Sequence, residues 1–213
     1  MRIRKKPNLM PRMERCARVQ IKQPAALRGS WLKNHPAYNQ LWAELGCGKG
    51  RFTSDMAEQN PEKLLVAIEL VPDAMVMAME LACNNNLENA LFIEGDAVSL
   101  PVIFDVGEVD RIFINFCDPW PKKRDAKRRL TSPAFLSIYK SILKADGEIH
   151  FKTDNKGLFD YSLESFSENG WTLSQLTRDL HSGGVKGIMT DYEAKFFEMG
   201  VPINRFVAKK GVV

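Results

Sequence analysis

The chain has 213 residues, which suits one domain with a core of its own, and its 45% hydrophobic and 26% charged residues are typical of a globular protein. No apolar run reaches the ~18 residues of a membrane span, and the first residues lack the apolar centre of a secretion signal, so we expect a cytoplasmic protein without membrane contact. The spacing of Cys16, Cys47, Cys83 and Cys117 fits no zinc site, which predicts free thiols and no bound metal.

The net charge of +4 conceals a strong segregation of charge. Residues 1–33 carry ten Lys or Arg and one acidic residue, and residues 122–129 carry six and one, so these two segments have net charges of +9 and +5. The rest of the chain has a net charge of −10. Either basic run alone is as readily a solvated surface, but two of them on an otherwise acidic chain favour a nucleic acid as the partner.

Residues 1–36 lack clear periodicity and predict a flexible basic arm, followed by a domain over residues 37–213. Within the domain, short apolar runs predict strands and longer periodic segments predict helices. The predicted strands are residues 41–45, 64–70, 90–93, 109–116, 147–152, 171–180 and 204–209. The predicted helices are residues 50–60, 72–84, 132–143 and 156–168, and residues 118–131 and 181–193 predict loops. Alternating strands and helices predict an α/β fold with a mainly parallel sheet of about seven strands flanked by helices.

A glycine-rich turn, Glu44-Leu-Gly-Cys-Gly-Lys-Gly50, follows the first predicted strand. Glycines let the backbone turn tightly and approach a ligand closely. The nicotinamide fingerprint is Gly-x-Gly-x-x-Gly, whereas Gly46, Gly48 and Gly50 are spaced as Gly-x-Gly-x-Gly, which disfavours a dehydrogenase. Taken alone, this feature is also compatible with a tight turn that binds nothing.

Acidic residues end or follow the first four predicted strands: Glu44, Glu69, Asp96 and Asp118. Ligands of such sheets bind outside the carboxyl ends of the strands, so we expect these carboxylates to share one edge. Glu69 is placed to accept hydrogen bonds from both hydroxyls of a ribose, and Asp96 from an adenine amino group. Each acid alone can cap a helix or a turn, but four on one edge favour a binding site.

This set resembles class I S-adenosylmethionine-dependent methyltransferases, which have a Rossmann-like fold, over about residues 40–155. Further motifs extend the resemblance over nearly the whole chain, to tRNA (guanine-N7)-methyltransferases of the bacterial single-chain type. These motifs are Asp118-Pro-Trp-Pro-Lys-Lys-Arg124, Lys127-Arg-Arg-Leu130, Phe151-Lys-Thr-Asp154, Thr190-Asp-Tyr-Glu193 and the basic N-terminus.

The resemblance implies S-adenosylmethionine as the methyl donor and tRNA as the substrate, methylated at N7 of the guanine at position 46 in the variable loop. For the cofactor it implies Glu44, Gly46, Gly48, Glu69, Asp96 and Asp118, with Asp118 also catalytic. For the substrate nucleotide it implies Lys122, Asp154, Thr190, Asp191, Tyr192 and Glu193. For RNA it implies Arg124, Asp125, Ala126, Lys127, Arg128 and Arg129. Two residues depart from the family, since Asp125 stands where His is usual and Cys117 where Ser or Pro is common; the first puts an RNA contact at position 125 in doubt.

Methylation of guanine N7 depends on the alignment of N7 with the methyl group and the sulfur more than on acid–base catalysis, because N7 carries a lone pair and no proton. We expect Asp118 and Asp154 to orient the base and to stabilise the positive charge that develops on it. Three alternatives stay open. Asp154 is also a candidate helix cap, Trp120 can pack under its loop or stack on a base, and Thr190 with Glu193 can form a capping box.

Two other functional classes remain compatible with parts of the sequence. A methyltransferase acting on a small molecule or a protein shares the glycine turn and the acids but needs no basic segments. A non-catalytic RNA-binding module needs the basic segments but no intact acid edge. We expect no obligate protein partner, and both a monomer and a homodimer are compatible with the sequence.

Overall fold

The structure is a computed structural model that describes residues 6–211. The strands of its sheet are β1 (Gln40–Leu45), β2 (Lys63–Glu69), β3 (Ala90–Glu94), β4 (Val109–Asn115), β5 (Leu143–Thr153), β6 (Trp171–Thr177) and β7 (Asn204–Lys210). The helices are α1 (Leu9–Arg15), α2 (Trp31–Asn34), α3 (Arg51–Gln59), α4 (Pro72–Asn84), α5 (Leu100–Ile103), α6 (Pro133–Ile142), α7 (Lys156–Glu168) and α8 (Asp191–Glu198).

The strands form one seven-stranded sheet in the order β3-β2-β1-β4-β5-β7-β6. All pairs from β3 to β5 are parallel, and β7 is antiparallel to both of its neighbours. The predicted mainly parallel α/β sheet is therefore confirmed. The strand order reverses between β1 and β4, and a crevice at such a switch point is where open α/β sheets bind ligands.

The hydrophobic side chains of the sheet pack against helices on both faces. One core contains side chains of α6 and α7 together with Leu41 and Ile149, and the other contains side chains of α3 and α4 together with Phe92 and Phe113. Continuous burial along β2 explains why its sequence is an unbroken apolar run.

Helices with clear end signals match their predicted bounds. Helix α4 has Pro72 in its first turn, and α7 begins where the side chain of Asn155 accepts a hydrogen bond from the Leu158 amide at 2.8 Å. Asn155 rather than Asp154 is thus the cap of α7. Strand β5 begins at Leu143, before the predicted residue 147, and its pairing with β4 shifts register between Val109 and Arg111.

The N-terminal segment is not a flexible arm over residues 6–36, so this prediction is wrong for the described part of it. Short helices bury Met13 and Trp31 in the two cores. The Arg12 guanidinium donates to both carboxylate oxygens of Glu80, at 2.7 and 2.5 Å. The apolar residues here are too widely spaced for a recognisable pattern, and tertiary packing decides the structure. Residues 1–5 lie outside the described residues, and the domain boundary at residue 36 stays a prediction.

Among residues 6–211, no helix has the length and apolar character that a bilayer crossing requires. The same part of the chain holds no cluster of three or more His, Cys, Asp or Glu side chains suited to a metal ion.

Candidate active site

A cavity of about 610 Å³ opens at the carboxyl ends of β1, β2, β3 and β4. Three of the four acids singled out in the sequence, Glu69, Asp96 and Asp118, line this cavity. The loop after β4 contributes Trp120 and Arg128 to its wall. The edge of the sheet thus combines carboxylates, aromatic rings and basic side chains around one space.

The glycine turn after β1 forms one side of the cavity. Gly46 and Gly48 have left-handed backbone angles, φ +78° and +57°, which favour glycine. A side chain at either position would meet no atom within 4 Å, so the space before them is free for a ligand. Gly50 differs, because a Cβ there would collide with Ala78 of α4. It serves packing between α3 and α4, while Gly46 and Gly48 face the cavity.

Glu69 links the glycine turn to the start of α4. Its carboxylate accepts hydrogen bonds from the Gly48 amide at 2.8 Å and from the Val71 amide at 2.9 Å. The side chain is largely buried but still lines the cavity. Glu69 therefore holds two ligand-facing loops together and keeps lone pairs free for hydroxyl donors.

Glu44 lies behind the cavity instead of lining it. It is 3% exposed and accepts hydrogen bonds from the Thr53 hydroxyl and, at 3.1 Å, from the Asn115 amide nitrogen. Burial raises the pKa of Glu44 to about 7, although these two bonds and the charge of Lys152 favour the carboxylate. Glu44 can therefore act on a bound ligand only indirectly, by orienting the side chain of Asn115.

Asn115 was not singled out by the sequence, yet it lies at the centre of the site. It lines the cavity at the end of β4, and its Oδ1 is buried without a hydrogen-bond partner in the structure. A buried unsatisfied acceptor is costly, so this atom suits a donor on a bound ligand. The sequence feature that could have indicated Asn115 is its amide side chain, which ends a mostly apolar predicted strand.

Asp96 and Asp118 are the exposed carboxylates of the cavity. One oxygen of Asp96 accepts from the Val98 amide at 3.2 Å and caps a short 3-10 turn. Asp118 makes no hydrogen bond or ion pair with any other residue in the range 6–211. Both carboxylates therefore keep accepting capacity toward the cavity.

The loop after Asp118 is fastened by Arg129. The guanidinium of Arg129 donates to the carbonyl oxygens of Pro119 and Trp120, both at 3.0 Å, and lies 4.2 Å from the ring of Tyr161. Trp120 is held at φ +40°, a conformation that a bulky residue adopts only under such constraint. Arg129 is consequently occupied within the protein, which its basic character alone did not reveal.

Arg128 and Lys127 face the cavity from the same loop. The Arg128 guanidinium stacks 3.6 Å from the centre of the Trp120 ring, a cation–π contact. Arg124 is 78% exposed and only 3.9 Å from the Asp125 carboxylate. Lys122 and Ala126 do not line the cavity: Lys122 precedes the 3-10 turn Lys123–Arg128, and Ala126 lies within it. The predicted basic run thus splits into a cavity-facing pair and an outward-facing turn.

The segment 190–193 forms the capping box that the sequence left as an alternative. The Glu193 amide donates to the Thr190 hydroxyl at 3.0 Å, and the Thr190 amide donates to Glu193 Oε2 at 3.2 Å. Tyr192 lines the cavity, whereas Asp191 is half exposed and 3.8 Å from Arg51. The four neighbours therefore occupy different places, and a joint substrate contact stays a prediction.

Glu193 is fully buried in a charged cluster. Lys152 Nζ donates to its Oε2 at 2.6 Å, and His181 Nε2 lies 3.0 Å from its Oε1. His181 Nδ1 accepts from the Lys186 amide at 3.2 Å, so the proton of the neutral ring sits on Nε2 and is donated to Glu193. Neither Lys152 nor His181 was singled out in the sequence, because their partners are distant along the chain.

A row of aromatic rings from α8 and the end of β4 lies at the cavity. Tyr192 stacks on Phe196 with ring centres 6.5 Å apart, and Phe196 stacks on Phe116 at 6.1 Å. Phe116 directly follows β4 and has φ +53°, a left-handed conformation costly for a bulky residue. Asp154, in contrast, is half-buried just after β5. It lines neither this cavity nor a smaller cavity that is lined by Lys152 and Arg205.

The strand order and the position of the cavity at the switch point are those of the class I methyltransferase fold. Solved structures agree on the fold: the 16S rRNA methyltransferase KamB superposes with a TM-score of 0.65 over 85% of this chain and 93% of its own, at 15% identity. A 16S rRNA (adenine(1408)-N(1))-methyltransferase from Catenulisporales acidiphilia, solved with its cosubstrate, superposes with a TM-score of 0.61 over 85% and 90%, at 12% identity.

Sequence comparison defines the family more narrowly. Residues 38–206 match a family described as putative methyltransferase. The chain is 44% identical to the tRNA (guanine-N(7)-)-methyltransferase of Listeria monocytogenes (strain HCC23) over 210 residues, 98% of each chain. It is also 44% identical to that of Bacillus subtilis (strain 168) over 206 residues, 96% of this chain and 97% of the relative. The chain belongs to the tRNA (guanine-N7)-methyltransferase family, as the sequence motifs predicted.

S-adenosylmethionine is the methyl donor of this family, and the cavity fits it. The open space before Gly46 and Gly48 and the volume of about 610 Å³ leave room for a nucleoside with an amino-acid tail. The cavity carboxylates complement a molecule that carries an ammonium, a sulfonium and hydroxyl donors. The unpartnered Oδ1 of Asn115 adds an acceptor at the centre.

Proposed function

We propose that the protein transfers the methyl group of S-adenosylmethionine to N7 of a guanine in tRNA. The observation that carries this proposal is the meeting of three groups at one cavity: carboxylates that keep accepting capacity, a Trp120–Arg128 stack, and Tyr192. A cofactor site alone needs only the carboxylates. Aromatic faces and unpaired basic side chains at its mouth suit a nucleobase and its phosphates.

S-adenosylmethionine, when bound, supplies a methyl group already activated on a sulfonium centre. Glu69 accepts from ribose hydroxyls while its bonds to the Gly48 and Val71 amides fix its orientation. Asp96 would accept from the adenine amino group, and Asn115 Oδ1 would accept a donor of the amino-acid portion. Glu44 orients Asn115 from behind and does not itself touch the ligand.

Asp118 is the catalytic carboxylate of the proposal. Guanine N7 has a lone pair and no proton, so the residue has no proton to remove there. Methylation moves positive charge onto the purine, and a free carboxylate at the cavity stabilises that charge as it forms. Alignment of N7 with the methyl group contributes the rest of the barrier reduction, up to ~7–11 kcal/mol.

Trp120 and Tyr192 present aromatic faces to the same cavity from two different segments. We assign them to stacking on the target guanine, which must leave its own stack before it can reach a buried donor. Lys127 and Arg128 contact the adjoining phosphates. Lys122, Asp154, Thr190 and Asp191 stay predicted contacts to the substrate nucleotide, and Arg124 and Ala126 stay predicted contacts of the outer RNA surface. Asp125 lies in this surface and forms no favourable contact with a phosphate.

The proposed substrate places the protein in the cytoplasm, where tRNA is modified, and requires no protein partner. A methyltransferase acting on a small molecule would use the same cofactor residues but would bind its substrate with little dependence on salt. A tRNA enzyme would lose affinity steeply as salt rises. The test is methylation of unmodified tRNA by the purified protein, followed by identification of the methylated atom.

A further inference from the structure

A second cavity, of about 290 Å³, has no role in the proposed methyl transfer. It lies over the face of β4, β5 and β7 that carries Phe113, His150 and Arg205, and the loop around Lys186 closes one side. Phe52 and Met56 of α3 form another wall. The cavity therefore has an apolar floor and a rim of basic side chains.

Two of these basic side chains have no acidic partner. Lys152 is neutralised by Glu193 at 2.6 Å, but neither Arg205 nor Lys186 lies within 4.0 Å of a carboxylate among the described residues. Arg205 donates only to the amide oxygen of Gln175, at 2.8 Å. The rim thus presents two unpaired cations toward one space.

Glu148, a carboxylate that acts on Arg205, is already shared by other side chains. Glu148 lies 3.2 Å from Arg111, 3.0 Å from Lys209 and 2.8 Å from His150. Glu148 and Glu193 still attract Arg205 at longer range, but each is already engaged by a closer cation. After these pairs are counted, this face of the sheet still has a net positive charge, which includes Arg205 and Lys186.

Burial and neighbouring cations both act on the pKa values of two cavity residues, Arg205 and His150. Burial lowers the pKa of Arg205, and the nearby Arg111 lowers it further. Burial likewise lowers the pKa of His150 to about 4, and both Arg111 and Arg205 act in the same direction in spite of the bond to Glu148. His150 is therefore neutral at pH 7 and leaves the cationic rim of the cavity to Arg205 and Lys186.

The position of the cavity relates it to the substrate. Its wall residue Lys152 is bonded to Glu193, the neighbour of Tyr192, which lines the cofactor cavity. Lys186 and Ile188 precede the capping box of α8 by a few residues. The second cavity is thus connected to Tyr192, the proposed stacking residue, through the Lys152–Glu193 pair.

We propose that the second cavity binds a backbone phosphate of the substrate RNA, close to the methylated nucleotide, through Arg205 and Lys186. The inference rests on the proposed function for the identity of the RNA. A planar guanidinium beside a mobile ammonium suits the tetrahedral oxygens of a phosphate. The apolar floor around Phe113 lowers the local dielectric and strengthens both contacts.

The test measures binding of unmodified tRNA transcript as a function of salt, for the wild type and for the variants Arg205→Gln and Lys186→Gln. A lost phosphate contact lowers the slope of log K against log salt by about 1 and weakens binding of all tRNAs alike. Arg205→Lys keeps the charge and should keep the wild-type slope. Lys140→Gln removes the same charge as a control, because Lys140 lies on α6, which packs on the opposite face of the sheet from the cavity residues Phe52 and Phe113.

Slopes reduced by Arg205→Gln and Lys186→Gln, with wild-type slopes for Arg205→Lys and Lys140→Gln, support the phosphate site. Slopes unchanged in both cavity variants overturn it, as does an equal reduction by Lys140→Gln, which would indicate only general attraction. Lys186 lies on an exposed loop, so its variant tests the site even if Arg205→Gln unfolds. Calorimetric binding of S-adenosylmethionine and N7 methylation by the wild type are measured in parallel, so failure of the proposed function is recognised separately.

Discussion

Substitution of Lys152 tests the buried cluster that fixes α8. Lys152 Nζ and Glu193 Oε2 are 2.6 Å apart, and the two side chains are 9% and 0% exposed. Lys152→Met leaves the Glu193 carboxylate buried without its cation, which costs about 3–5 kcal/mol in comparable pairs. An exposed pair would contribute at most about 1 kcal/mol. The burial of both partners therefore predicts the larger value.

Urea denaturation followed by linear extrapolation measures this loss. With a slope of about 2 kcal/mol per M, the midpoint should fall by about 2 M. Lys209→Met is the matched control, because Lys209 pairs with Glu148 at 3.0 Å but is 52% exposed, and its loss should stay within about 1 kcal/mol. The double variant Lys152→Met/Glu193→Leu should be more stable than Lys152→Met alone, since it removes the orphaned charge. A loss below about 1 kcal/mol for Lys152→Met would refute the reasoning.

Three further predictions concern catalysis, the RNA loop and pH. Asp118→Ala should lower turnover at least ~100-fold while the protein stays folded, because the charge forming on guanine loses its stabilising carboxylate; single-turnover kinetics measure this. Arg128→Gln should weaken tRNA binding, whereas Arg129→Gln should instead lower the thermal midpoint by freeing the Trp120 loop, as calorimetry would record. His150 has a pKa lowered to about 4 from 6.5, so its contribution to stability is complete above pH 6.5 and is lost as the pH falls toward 4. His150→Gln should therefore lose less stability than the wild type between pH 7 and pH 5.

Each of these has a decisive contrary result. Wild-type turnover of Asp118→Ala would remove that residue from the mechanism, and Asp118→Asn separates loss of charge from loss of shape. Equal loss of tRNA affinity in the Arg128 and Arg129 variants would contradict the division of the loop. Identical pH profiles for wild type and His150→Gln would exclude a depressed His150 pKa. The raised pKa of Glu44 makes the free energy of unfolding fall as the pH rises toward 7. Because Glu44 is present in both proteins, this contribution cancels when their pH profiles are compared.

The sheet and the acid edge were predictable because their signals are local. A continuous apolar run sets β2, Ile112-Phe-Ile114 sets the buried part of β4, Pro72 sets the start of α4, and parallel strands bring the residues after them to one edge. Whatever depends on contacts between distant residues was not predictable. Trp31 is buried although its segment reads as a polar arm, because α2 packs against the core near Phe104.

The same reason explains the differences within the site. Arg128 and Arg129 are indistinguishable in the sequence, yet one stacks on Trp120 at the cavity and the other donates to the carbonyls of Pro119 and Trp120. Glu193 is one of a row of motif residues in the sequence, and only the fold places Lys152 and His181 beside it. Adjacent residues of one motif thus divide between binding and support.

The most direct test of the central claim is the position of the methyl group on tRNA. Purified protein is incubated with unmodified tRNA and S-adenosylmethionine carrying an isotopically labelled methyl group, and the digested nucleosides are separated and identified by mass spectrometry. The account predicts labelled 7-methylguanosine and no other labelled nucleoside. Label on another atom, or on another base, would contradict it.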